Sequence, residues 1–173
     1  MKFYSGFSLH NESYLFDEYI KHSNYSVCGF SYGAIKACEY VQKQIASSKR
    51  VDTLQLFSPA FFQTKPEKFK RLQLMGYKKS VDVYLKQFIN SCFDPYEKKI
   101  LEHTQTDLSE LEELLSYVWD KEILKNIAQS GVVIEVYLGG KDKIIDVESA
   151  REFFLEVATV TYIKNANHFL QIQ

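Results

Sequence analysis

The stretch Tyr25-Ser26-Val27-Cys28-Gly29-Phe30-Ser31-Tyr32-Gly33-Ala34 decides how the chain is read. Val27 and Cys28 read as the end of a buried strand, and Ala34, Ile35, Ala37, Cys38 and Val41 then recur at helical spacing. Between them lies Gly29-Phe30-Ser31-Tyr32-Gly33, a G-x-S-x-G at a strand-to-helix junction. A serine on such a tight turn projects its hydroxyl above the sheet. Glycines two residues either side let the strand and helix backbones pass without a Cβ clash. The Tyr32 N–H then points to where an oxyanion would form. The competing reading is a glycine-rich β–α turn with a surface serine, so the partners matter.

The whole chain narrows the field. Its 173 residues suit one domain with a sizeable core. Hydrophobic residues make up 46% and aromatics 15%, which suits a large apolar pocket or a plain core. A net charge of −1 gives no global attraction to nucleic acid, so a charged partner must be met by a local patch. Cys28, Cys38 and Cys92 are odd in number and lack metal-ligand spacing; reduced core thiols are expected, without a disulfide. With no apolar signal core and no run long enough to span a membrane, a cytoplasmic protein is expected.

Taken in order, Lys2 to Tyr4 reads as a short strand and Ser5-Gly6-Phe7 as the loop after it. A second oxyanion donor comes from such a loop in elbow-type hydrolases, which makes the Phe7 N–H the candidate; an ordinary β–α turn is the alternative. Asn11 can cap a helix carrying Tyr14, Leu15, Phe16, Tyr19 and Ile20. After the elbow helix, Val51 to Phe57 alternates as a strand ended by Ser58-Pro59, with Ser58 a turn residue and a remote second nucleophile. From Phe61 to about Ser130 the strand pattern stops. Val81, Tyr84, Leu85, Phe88, Ile89 and Cys92 mark one amphipathic helix; Asp94-Pro95, Asp107 and Asp120 read as helix starts. An insertion of that size is often a lid over an active site. Lys65, Lys68, Lys70, Arg71, Lys78 and Lys79 cluster within it and could receive an acidic protein or a phosphorylated group, a solvated helix face being the alternative. Val132 to Leu138 is the clearest strand, followed by Gly139-Gly140-Lys141-Asp142, a helix capped by Asp146, a last strand at Thr159 to Ile163, and the loop carrying His168.

Ser31, Asp142 and His168 therefore each sit just past the C-terminal end of an expected strand. In a parallel sheet those ends form one rim, where ligands bind. Singly, Asp142 could be a turn acid and His168 a loop histidine, as His10, His22 and His103 occur without such context. Together they follow the chain order Ser, Asp, His of the α/β-hydrolase triad. His168 would take the serine proton and return it to the leaving alcohol, and Asp142 would orient the imidazole. The Tyr32 and Phe7 N–H groups would hold the oxyanion, each worth about 3 kcal/mol. This chemistry needs no metal or organic cofactor.

Phe3-Tyr4-Ser5-Gly6-Phe7, Gly29 to Ala34, Gly139 to Asp146 and Asn167-His168-Phe169-Leu170 together span nearly the whole chain. In these motifs it resembles the compact α/β-hydrolases, and among them the short BioV-type pimeloyl-(acyl carrier protein) methyl ester esterases of biotin synthesis. The resemblance implies hydrolysis of the methyl ester at the far end of a pimeloyl chain borne by acyl carrier protein, releasing methanol. A generic carboxylesterase or thioesterase would use the same triad. A non-catalytic binder on this fold would not require all three residues.

The expected architecture is α/β: a minimal α/β-hydrolase fold of about five parallel strands, with a helical lid inserted before the penultimate strand. Residues 1–60 and 131–173 form the core, and 61–130 the lid plus the helix leading back into it. Gln55 and Glu135 alternate with Leu54, Leu56, Ile134 and Val136, whereas buried parallel strands read as apolar on both faces. One sheet face is therefore expected to be thinly covered, open to solvent or to a second copy in a homodimer.

Overall fold

The computed structural model describes all 173 residues. In chain order the elements are β1 (Lys2–Tyr4), β2 (Leu9–His10), a 3-10 turn (Glu12–Phe16), β3 (Ser26–Phe30), α1 (Tyr32–Ala46) and β4 (Thr53–Phe57). There follow α2 (Glu67–Lys79), α3 (Val81–Phe93), β5 (Glu102–His103), α4 (Leu108–Ser116) and α5 (Lys121–Gln129). The chain closes with β6 (Val133–Gly139), α6 (Val147–Leu155) and β7 (Thr159–Ile163). No helix is long and apolar enough to cross a membrane.

Five strands form one parallel sheet in the order β1-β3-β4-β6-β7. Pairing advances one way across it, so right-handed crossovers place their helices on one side. That side holds α1 against β1, β3 and β4, α6 against β6 and β7, and α5 beside α1. The buried stripe Ala34, Ile35, Ala37, Cys38 and Val41 fixes which face of α1 turns inward. Every residue of β3 and β4 is buried, as central strands require. The opposite side is covered by the chain after β2, where Phe16 and Ile20 pack, and by Phe93, Phe169 and Leu170.

Helix ends follow local chemistry. Asp107 accepts from the Glu110 N–H at 3.0 Å and Glu110 reaches back to the Asp107 N–H, a capping box that starts α4. Asp120 and Asp146 cap α5 and α6 by accepting from the Glu122 and Ser149 N–H groups. Gly131 supplies the left-handed turn after α5.

Three expectations need correction, and one helix, α2, goes unread in the sequence. Asn11 does not cap a helix: it is left-handed, its side chain accepts from the Glu102 N–H, and only a 3-10 turn follows. Asp94-Pro95 does not start one either. Asp94 ends α3, and its carboxylate pairs with Lys143 at 2.8 Å instead of capping. α2 was hidden because its only fully buried residue is Tyr77, leaving almost no apolar stripe to read. The thin sheet face holds in part. Gln55 is sealed, donating to the Tyr19 carbonyl at 2.8 Å and accepting from the Lys21 N–H at 2.8 Å. Toward the far edge the cover thins: Glu135 keeps 14% side-chain exposure and pairs with Lys21, and Val133, Thr159 and Thr161 are exposed.

Candidate active site

The turn between β3 and α1 is an elbow in its backbone. Ser31 has φ 52° and ψ −113°, outside the regions a serine normally adopts. Its N–H donates to the Phe57 carbonyl at 2.9 Å, and its carbonyl accepts from Ala34 and Ala60, each at 3.1 Å. The neighbouring strand thus fixes the strained residue. A Cβ on Gly29 would sit 2.3 Å from the Gly33 carbonyl oxygen, and one on Gly33 would sit 2.0 Å from the Tyr4 oxygen. Both glycines are required by the close passage of β1, β3 and α1.

Asp142 follows β6. Gly139 and Gly140 let this turn run against the loop after β7: added Cβ atoms would lie 2.3 Å from the Asn167 oxygen and 2.5 Å from the Lys164 oxygen. Asp142 Oδ1 accepts from the Ile144 N–H at 2.7 Å, which leaves Oδ2 facing the His168 Nδ1 at 2.6 Å. His168 Nε2 lies 3.1 Å from the Ser31 Oγ. The imidazole has no solvent exposure and packs on the Phe30 ring at 5.0 Å between centroids. Serine, imidazole and carboxylate therefore form one hydrogen-bonded line, and with Asp142 on Nδ1 the neutral ring presents an acceptor at Nε2.

Asn167, buried beside His168, organises this loop. Its amide donates to the Phe93 carbonyl at 2.8 Å, and its oxygen accepts from the Phe169 and Gln171 N–H groups at 3.0 Å. Sequence reasoning assigned Asn167 no role, because an asparagine before a histidine carries no local signal. Ser58 is buried after β4 with no partner for its Oγ, so nothing there activates it as a nucleophile.

Neither the Tyr32 nor the Phe7 N–H donates a hydrogen bond within the protein. Their rings meet edge to face at 6.4 Å, which brings the elbow and the first loop together. Two backbone donors left free on facing segments are what an oxyanion hole requires. The Tyr32 hydroxyl donates to Glu113 of α4 at 2.5 Å, and burial together with that carboxylate pushes its pKa up. Glu113 also pairs with Lys36; burial opposes its charge, but the Lys36 and Tyr32 hydrogen bonds prevail and lower its pKa.

A cavity of about 290 Å³ adjoins Phe7 and Ile144, walled by Phe62, Phe69, Phe88 and Leu114. Its wall is mostly apolar, with Lys65, Gln73, Gln87, Ser91 and Lys143 as the polar lining residues. A wider cleft of about 520 Å³ lies on the other face of α3, lined by Leu85, Ile89 and Lys98; no triad residue lines either cavity, and the smaller one comes nearer through Phe7, Lys143 and Ile144. Ser31 itself is 2% exposed. Of the lid cations, Lys68, Arg71, Lys78 and Lys79 are exposed on α2 and form no ion pair, whereas Lys70 is partly buried and paired with Glu67 at 3.1 Å. No group of histidine, cysteine and acidic side chains is arranged to hold a metal ion.

No protein-family model matches the sequence, and no curated protein matches it either. Solved structures do share its fold. Naproxen esterase (carboxylesterase NP) from Bacillus subtilis matches with a TM-score of 0.55 and 19% identity, covering 96% of this chain and 62% of that one. A bromoperoxidase from Bacillus anthracis matches at 0.64 and 11% identity, over 83% of this chain and 60% of that one. BioG from Haemophilus influenzae matches at 0.56 and 12% identity, over 97% and 87%. The chain thus spans about three fifths of the length of the first two. These likenesses place the architecture: it is a minimal α/β-hydrolase fold with five parallel strands.

Proposed function

We propose that the protein is a serine carboxylesterase that hydrolyses the methyl ester of pimeloyl-(acyl carrier protein). The observation that carries the catalytic part is the line Ser31 Oγ, His168 Nε2, His168 Nδ1, Asp142 Oδ2, with separations of 3.1 Å and 2.6 Å across its two hydrogen bonds. In the reaction, Ser31 Oγ attacks the ester carbonyl carbon while His168 Nε2 takes its proton. The negative charge moves to the carbonyl oxygen, where the Tyr32 and Phe7 N–H groups receive it. The C–O bond to the alcohol breaks, His168 returns the proton, and methanol leaves an acyl-serine. Water, deprotonated by His168, then attacks that acyl group, and the freed carboxylate departs as Ser31 is re-protonated. Asp142 keeps the imidazole oriented and stabilises its charged form throughout.

Two features support the finer assignment. The apolar cavity beside Phe7 suits an aliphatic chain. On the outer face of α2, Leu72 and Met75 are 53% and 58% exposed and lie among Lys68, Arg71 and Lys78 at helical spacing. A cationic face with apolar centres fits an acidic helical protein such as an acyl carrier protein. A generic esterase is the broader reading, favoured by structural neighbours described as carboxylesterases.

The test is to give the purified protein the carrier-linked methyl ester and, separately, short simple esters. Hydrolysis of the former with release of methanol is expected. Turnover of the short esters alone would reduce the assignment to a generic esterase, and turnover of neither would leave a binding protein. Ser31→Ala should lower kcat by about four to six orders of magnitude while retaining substrate binding; full activity in that variant would end the triad assignment.

A further inference from the structure

Glu12 opens the 3-10 turn below the first loop, and its side chain has no solvent exposure. No ion pair neutralises it. Its Oε1 accepts from the Gly6 N–H at 2.7 Å, and its Oε2 has no hydrogen-bond partner. Burial raises its pKa, while the Gly6 and Glu12 N–H groups, Ser5 and His10 act against the rise. A carboxyl held this way is costly and calls for a reason.

The reason lies in the loop it grips. The Gly6 carbonyl accepts from the Leu9 N–H at 3.1 Å. In the planar trans peptide that follows, the Phe7 N–H points opposite that carbonyl and stays free. Glu12 therefore fixes the peptide before Gly6 and Leu9 fixes the one after it. A Cβ on Gly6 would lie 2.8 Å from the Phe30 ring, so the loop is pressed between Phe30 and Glu12. Ser8 and Asn11 take φ values of 61° and 64°, so this backbone is strained and persists only where its surroundings hold it.

We propose that Glu12 is a positioning residue for the oxyanion hole: by holding the Gly6 N–H, it keeps the next peptide turned so that the Phe7 N–H faces the reacting carbonyl. This rests on the esterase reading given above. Glu12 acts through Gly6 and does not touch substrate. An uncharged acceptor of the same shape should serve as well, because the hydrogen bond, and not the charge, does the positioning.

Two substitutions separate the roles. Glu12→Gln keeps an acceptor, and Glu12→Met fills similar volume without one. Amide hydrogen exchange at Gly6, followed by NMR in the resting protein, is independent of turnover. It should be unchanged in the glutamine variant and at least about tenfold faster in the methionine variant. On a methyl ester, the methionine variant should lose about 10² to 10³ in kcat with KM within about threefold, and glutamine should restore kcat to within about threefold of wild type. A boronic acid that mimics the tetrahedral intermediate should lose affinity in the methionine variant only. A folded methionine variant with wild-type kcat, or with unchanged Gly6 exchange, would overturn the proposal and leave the triad standing. Equal loss of kcat in both variants would overturn it too, by showing that the charge is needed. If wild type hydrolyses no ester while Gly6 exchange responds as described, the esterase reading fails and the oxyanion role fails with it.

Discussion

At Glu12, a side chain normally charged at neutral pH is enclosed without a cation, and that has a thermodynamic consequence. Burial raises its folded-state pKa above the ordinary value of 4.5. An acid whose pKa is raised on folding binds its proton more tightly in the folded state. Its contribution to stability is complete below the unfolded pKa and is lost as pH rises through the folded one. Glutamine at this position has no proton to lose. Glu12→Gln should therefore gain stability relative to wild type as pH is raised from 5 to 8, the two converging toward acid; urea midpoints across that range measure it. A constant difference would mean Glu12 stays ionised in both states. The buried thiols follow the same rule harmlessly: desolvation pushes Cys28 and Cys38 up to about 12, so they remain neutral packing groups.

Elements in this chain differ in how closely they are packed, and glycine substitutions report it. Gly33 lies at the start of α1, where an added Cβ would sit 2.0 Å from the backbone oxygen of Tyr4. Neither strand nor helix can yield there, so Gly33→Ala should destabilise by about 3 kcal/mol or more. Gly76 in α2 faces only the Tyr84 ring at 3.4 Å, an ordinary contact. There alanine should stabilise by about 0.5–1 kcal/mol through helix propensity. Thermal melts of both variants check the contrast. The same difference in packing explains what could be read from sequence. The five strands of the parallel sheet, α1, α3 and the capped helices α4, α5 and α6 carry their apolar period or cap in consecutive residues, whereas β2 and β5 are two residues each and show none. The Ser31, Asp142 and His168 positions were legible because each follows a strand that declares itself locally. α2 was not, since it shows solvent a mostly polar surface. Glu12, Asn167 and the link from Tyr32 to Glu113 were silent because their meaning lies in partners distant in sequence or in backbone geometry.

Over the whole molecule, the sheet divides the interior unequally. The core cluster that holds α1, α5 and α6 has 27 buried residues, joined by Tyr77, Leu111, Leu114 and Leu115 of the inserted helices, and the one on the other side has 12, so most of the apolar packing is shared between the α1 layer and the insertion. The inserted segment 61–130 is tied to the loops that carry the triad through Tyr32 and Glu113, through the β2–β5 pairing of Leu9 with His103, through Asn167 and the Phe93 carbonyl, and through Lys143 and Asp94. Ser31 is 2% exposed, so on the proposed function substrate reaches it only when neighbouring side chains move aside. On the proposed function, a substrate delivered on a carrier protein would dock outside this segment, with the exposed cations of α2 as its contact. Lys68 and Arg71 are exposed and unpaired there, so reversing both leaves the core and its ion pairs intact. Lys68→Glu with Arg71→Glu should raise KM for the carrier-linked ester by about tenfold or more and leave free methyl esters within about twofold. Added salt should narrow the gap between variant and wild type, because exposed charges are screened over about 8 Å at physiological ionic strength. Steady-state kinetics with both substrates at low and high salt make the measurement. Equal changes for the two substrates would show that this basic face is only solvated and that the carrier, if used, docks elsewhere.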